Sequence, residues 1–155
     1  MSHPFALRRL MKILSLDYGD KRIGLALGDA QAGVAVPYGI LENQGRTYVL
    51  HQLKVLIKKE DIGKVLIGIP LALHRERNAD TMRLKDVVNA QMQKVLRFID
   101  DVRNAVTIFV ETIDERLSTR EADNRTKGQK KSDIASRDAI AATIILQNYL
   151  DKSEV

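Results

Sequence analysis

The chain has 155 residues, 45% hydrophobic and 29% charged, which predicts one ordinary globular domain long enough to bury a real core. It contains no Cys, which excludes disulfides, thiolate metal sites and cysteine nucleophiles, and no apolar run reaches the roughly 18 residues of a membrane-spanning helix. The net charge of +5, from 25 Lys and Arg against 20 Asp and Glu, favours an acidic partner such as nucleic acid.

Met1–Leu10 carries Arg8 and Arg9 but no apolar stretch of a secretory signal. It reads as a flexible leading extension before a single domain over 11–151, with Met11 an alternative start. Lys12–Leu16, Ile23–Leu27 and Gly33–Leu41 are expected as three short strands of a β-meander, punctuated by Gly and Asp. Arg46–Lys59 is expected as a helix, because Val49, Leu50, Leu53, Leu56 and Ile57 recur at spacings of three and four. The apolar run Val65–Ile69 predicts a strand buried on both faces, closed by Pro70.

Thr81–Asp101 is expected as a long helix with Leu84, Val87, Val88, Met92, Val95, Leu96 and Ile99 on one stripe. Ala105–Ile113 is rich in β-branched residues and predicts a strand, and Leu117–Thr126 a short helix. Ser136–Leu150 is the clearest helix, with Asp138, Ala141, Ala142, Ile145, Leu146 and Tyr149 on one face. The order predicts an α/β fold: a mixed five-stranded sheet with helices on both faces.

Four acidic residues, at three places in the chain, stand out against that frame. Asp17 ends the first strand, and an acid at the tip of a buried strand is costly unless paired or bound to metal. Asp114 and Glu115 follow a later strand, and Asp138 lies in line with the core stripe of the last helix, near its expected N-terminus. The ordinary alternatives are an Asx turn at Asp17, a surface turn at 114–115 and a helix cap at Asp138. Carboxylates at two strand ends and one helix offer the hard oxygen ligands that Mg²⁺ or Mn²⁺ takes. Gly19 and Gly24 flank Asp17 and allow a tight turn and a close approach. Arg120, Arg125, Lys127, Lys130 and Lys131 crowd one stretch, with Gly128 and Gln129 among them; Arg125–Lys131 is expected to hold a nucleic-acid backbone, the ordinary alternative being a solvated loop. Three Phe, four Tyr and no Trp make a poor stacking platform, so recognition is expected to rest on phosphates and shape.

The blocks Leu16-Asp17-Tyr18-Gly19, Lys21-Arg22-Ile23-Gly24, Gly68-Ile69-Pro70-Leu71, Asp114-Glu115-Arg116-Leu117-Ser118-Thr119 and Asp138-Ala139-Ile140-Ala141-Ala142 resemble, in order, the YqgF family, also called RuvX. The resemblance runs from Met11 to about Leu150. It implies an RNase H-like fold and a cytoplasmic bacterial nuclease that trims the 5′ end of precursor 16S ribosomal RNA. The alternatives are a Holliday-junction resolvase acting on DNA and a non-catalytic nucleic-acid-binding module of the same fold. It implies Asp17, Glu115 and Asp138 as catalytic residues, with Asp17, Asp114, Glu115 and Asp138 as candidate ligands of Mg²⁺ or Mn²⁺. Glu115 is favoured over Asp114 for its longer arm. Lys21, Arg22, Arg116, Arg125, Lys127, Lys130 and Lys131 are the expected contacts to nucleic acid, structured RNA before branched DNA. The family's usual Asn after Gly-x-Pro-Leu is replaced here by Ala72, followed by Leu73, His74 and Arg75. Asp17 and Gly24 also resemble the phosphate loop of actin-like sugar kinases, which are much longer and have a second lobe, so no nucleotide cofactor and no membrane partner are expected.

Overall fold

Burial is continuous along the first strand, β1 (Lys12–Asp17), where Ile13, Leu14, Ser15 and Leu16 are all buried. A strand buried on both faces needs a layer on each side. The computed structural model describes residues 11–70, 81–114 and 131–153, with the side chains of 81–89, 131–136 and 153 outside that description.

β1 is followed by β2 (Arg22–Asp29), β3 (Val34–Glu42), α1 (Arg46–Lys59), β4 (Ile62–Ile69), α2 (Thr81–Ala105), β5 (Phe109–Asp114) and α3 (Lys131–Ser153). The five strands form one sheet in the order β3-β2-β1-β4-β5. β1 runs antiparallel to β2, and β2 to β3, as a meander requires. β4 lies parallel to β1, and β5 parallel to β4. The expected mixed sheet with helices on both faces is what forms. None of the described helices is long and apolar enough to cross a membrane.

The two faces carry separate cores. Leu14, Leu16, Ile23, Leu25, Val65 and Ile67 pack against Val49 and Leu53 of α1 and Val95, Phe98, Ile99 and Val102 of α2. Ile13, Ala26 and Leu66 pack against Ala142, Ile145, Leu146 and Leu150 of α3. Ser15 also belongs to the α3 face, opposite Ala26 and Leu66 in register. It is fully buried, and its hydroxyl finds no hydrogen-bond partner among the described residues.

Several boundaries differ from expectation for identifiable reasons. α2 runs to Ala105 rather than Asp101, because Val102 continues the buried stripe of Val95 and Ile99. The Val106 amide still bonds the Val102 carbonyl at 3.0 Å, so β5 begins only at Phe109 instead of Ala105. Leu96, expected on that stripe, is 47% exposed, and Phe98 takes an inward position instead. β4 starts at Ile62, three positions early, because Ile62 is buried and pairs with Lys12. α1 keeps its expected bounds and is stopped by Asp61, which takes the left-handed conformation at φ 54°. α3 begins at Lys131, five residues before the expected Ser136. Met1–Leu10 and the expected helix Leu117–Thr126 lie outside the described residues.

Small residues on β2 set the height of α3. Arg22, Gly24, Ala26 and Gly28 share the α3 face, and α3 descends onto the last three. A Cβ at Gly24 would collide with the backbone carbonyl of Asp138, which cannot move without the helix. A Cβ at Gly28 would meet side chains alone, 2.8 Å from Leu146 Cδ2 and 3.3 Å from Leu150 Cδ1. At the strand edge, the Gln147 side chain accepts from the Ala35 amide at 3.0 Å and donates to the Gly33 carbonyl at 2.9 Å, tying α3 to β3. At the other side of α3, Lys64 Nζ donates to the Tyr149 hydroxyl at 2.8 Å.

These contacts predict an ordering of two substitutions. Gly24→Ala forces backbone against backbone and is expected to cost about 1–3 kcal/mol in urea unfolding. Gly28→Ala, which needs only the Leu146 and Leu150 side chains to shift, is expected to cost less. Equal unfolding midpoints for Gly24→Ala and the parent chain would contradict the close approach.

Candidate active site

Strand alternation assigns Asp17 to a face. Ile13 packs in the α3 layer, and Asp17, four residues on, shares that side, where it is half-buried. Asp17 pairs with Gly24 of β2 in the antiparallel register. Gly24 is the residue on which the Asp138 backbone rests. The missing Cβ therefore brings the helix acid over the strand position beside Asp17. Two acids separated by 121 positions in the chain are neighbours on one face because of a single register and a single glycine.

Asp138 lies about two turns inside α3, since the helix starts at Lys131. It is not a cap, and the helix dipole, which acts within the first turn, is not what favours its charge. That corrects the reason given by the sequence, though not the position. The partner is Arg22, whose Nε donates to Asp138 Oδ2 at 3.0 Å across the β2–α3 contact. The pair is partly exposed, with 39% and 29% of the two side chains accessible, so solvent screens it. It also means that the cleft carries its own positive charge.

Of the remaining predicted residues, Asp114 and Lys21 have described side chains. Asp114 closes β5 in register with Ile69, which packs on the α1–α2 core, whereas Ile113 packs on the α3 core. Asp114 thus holds a position of the opposite face from Asp17 and Asp138, and it is exposed. Lys21 is exposed beside the site, and its carbonyl accepts from the Asn43 amide at 2.9 Å. Glu115, Arg116, Arg125, Lys127 and Lys130 lie outside the described residues, and Lys131 is known only as the first residue of α3. Among the described residues, no three His, Asp or Glu side chains gather into one metal-binding group.

Sequence reasoning missed the other side of the same strand end. Tyr18 follows Asp17 and packs on Phe98 of α2, ring centroids 4.7 Å apart and 34° between planes. The two lie 80 positions apart, so no local pattern joins them. The only local signal was the adjacency of Tyr18 to the strand-end acid.

Known proteins share this fold or about a third of this sequence. A Chloroflexus aurantiacus protein named "Putative pre-16S rRNA nuclease" is 34% identical over 142 residues, covering 90% of this chain and 86% of the relative. One of the same name from Maridesulfovibrio salexigens is 33% identical over 146 residues, covering 92% of this chain and all of the relative. Among solved structures, T. thermophilus RuvC in complex with a Holliday junction substrate superposes with a TM-score of 0.56 at 13% identity, covering 93% of this chain and 96% of that one. The likeness supports the RNase H-like class of the sheet and helices described above. The RuvX family, described as a Holliday junction resolvase, matches residues 11–152, so with two relatives above 30% identity over most of its length the chain belongs to that family.

Proposed function

We propose that the chain is a metal-dependent nuclease that hydrolyses a phosphodiester bond in the 5′-end maturation of precursor 16S ribosomal RNA. The observation that carries this reading is the placement of Asp17 beside Gly24, on which the Asp138 backbone rests. The names of the relatives from C. aurantiacus and M. salexigens support the RNA substrate. The family description favours a second reading, resolution of four-way DNA junctions.

The donor set fits a hard divalent cation in part. Asp17 and Asp138 supply carboxylate oxygens of the kind Mg²⁺ and Mn²⁺ take. Of Asp114, which ends β5, and Glu115 after it, we favour Glu115 as the third ligand, because Asp114 belongs to the face that packs on α1 and α2. When bound, the metal would lower the pKa of the attacking water and stabilise the leaving oxygen. The chain's own residues do the rest. Arg22 holds the Asp138 carboxylate over β2 and offsets its charge before a cation arrives. Lys21 stands exposed beside the cleft for a substrate phosphate. The basic stretch Arg125–Lys131 precedes Asp138 in the chain, and we assign it to backbone phosphates.

Two outcomes test this reading. Asp17→Asn keeps the side-chain shape and is expected to lose at least about a hundredfold in cleavage of RNA with Mg²⁺ or Mn²⁺, since loss of even a ligand's supporting partner costs about 10–100-fold. Four-way DNA junctions assayed alongside decide between the two substrates, and full activity in Asp17→Asn would remove this residue from the mechanism. Replacing Lys127, Lys130 and Lys131 by Ala is expected to weaken binding across sequences and to reduce the slope of log affinity against log salt by about 1–2. An unchanged slope would mark the stretch as a solvated segment.

A further inference from the structure

A cavity of about 340 Å³ opens at the carboxyl end of β1, on the face opposite Asp17. Its walls are Tyr18 and Phe98, already packed on each other, and its other polar lining includes Arg46, Lys94, Arg97 and Asp101. Three cations against one acid make it attractive to an anion. Two of those cations are held loosely. Arg46 Nη2 pairs with Asp101 at 2.9 Å with 69% of the arginine side chain exposed, and Lys94 pairs with Asp20 at 3.2 Å with both side chains about half exposed. Exposed pairs of this kind are weak, so a phosphate can replace the carboxylates. Arg97, exposed on α2, forms no ion pair among the described residues.

The combination of an aromatic wall with a cationic rim selects a flat aromatic group that carries negative charge. The volume lies at the small end of ligand pockets, enough for one nucleotide and too little for a duplex. Tyr18 is adjacent to Asp17, about 3.8 Å away between Cα atoms, with its side chain on the other face. A strand crossing the end of β1 can thus have one phosphodiester at Asp17 and the neighbouring nucleotide against Tyr18. The geometry points to this cavity as a subsite for an unpaired nucleotide flanking the bond that is cut, its base on Tyr18 and its phosphate on Arg97 and Lys94. A base stacked inside a duplex cannot present its face to the ring, so the subsite selects single-stranded segments. This inference rests on the nuclease reading, because the strand at Asp17 is the one that supplies the nucleotide.

The test uses the full chain in chelator, so that nothing is cut, with a fluorescein-labelled single-stranded RNA of about a dozen nucleotides and a blunt duplex of the same sequence. Tyr18→Leu is expected to weaken single-strand binding about tenfold, in line with the loss of one base–aromatic stack. Tyr18→Phe is expected to bind as the parent does. Arg97→Ala, an exposed helix position with little to unfold, is expected to lose several-fold more affinity for the single strand than for the duplex. Parent-like single-strand affinity in both Tyr18→Leu and Arg97→Ala would overturn the subsite. So would equal losses for single strand and duplex, which would leave only a basic surface. Absence of cleavage of RNA and of four-way DNA junctions by the parent chain with Mg²⁺ or Mn²⁺ would remove the nuclease reading without altering these binding ratios, so the two failures are distinguishable.

Discussion

The approach of α3 to β2 at Gly24 is the contact on which the site depends. The helix can rest there because no Cβ separates the strand from the Asp138 carbonyl. Ala26 and Gly28 continue the small stripe, so α3 follows the strand down toward Leu146 and Leu150. Close packing of this kind has no slack, since an added methylene must displace either a side chain or the backbone. At Gly28 a side chain can yield, and at Gly24 it is the helix itself that would have to move. The register of β1 on β2 then converts a packing fact into a chemical one, by making Asp17 the partner of Gly24.

Electrostatics follow from the same contact. Converging carboxylates would repel one another in a metal-free cleft. Arg22, one alternation before Gly24 on the same face, answers half of that problem by pairing with Asp138. Its sequence reading as a contact to nucleic acid is thus joined by a second role, that of counter-ion. A guanidinium holding the carboxylate in place keeps Asp138 from drifting into solvent and is itself exposed enough to be displaced. The side of the sheet that carries the α1–α2 core has its own cations at the same strand end, so the end of β1 is flanked by positive charge on both faces.

Much of the fold was legible because its signals are local. The apolar spacing of Val49, Leu53 and Leu56 fixed α1 to its observed bounds, and the unbroken run ending at Ile69 marked a strand buried on both faces. Asp138 was singled out because it continues the stripe of Ala142, Ile145 and Leu146, and that stripe is buried. The helix dipole offered as a supporting reason was wrong, since the start of α3 at Lys131 is not marked by any local apolar pattern. The boundary between α2 and β5 was misread because β-branched residues after Ala105 suit a strand, while the buried Val102 holds the helix one turn longer. What no local pattern conveys is register. The face that Asp114 takes needed its pairing with Ile69, and the Tyr18–Phe98 contact joins residues from different elements.

The central claim is that Asp17 and Asp138 act as one site because Gly24 holds them together. Calorimetric titration of Mn²⁺ into the parent chain, Asp17→Asn, Asp138→Asn and the double variant tests it most directly. If the two acids share a cation, each single substitution removes most of the affinity and the second adds little, the non-additivity of groups acting as a unit. Losses that simply add, or Mn²⁺ binding that survives either substitution unchanged, would mean that the two carboxylates do not form one site.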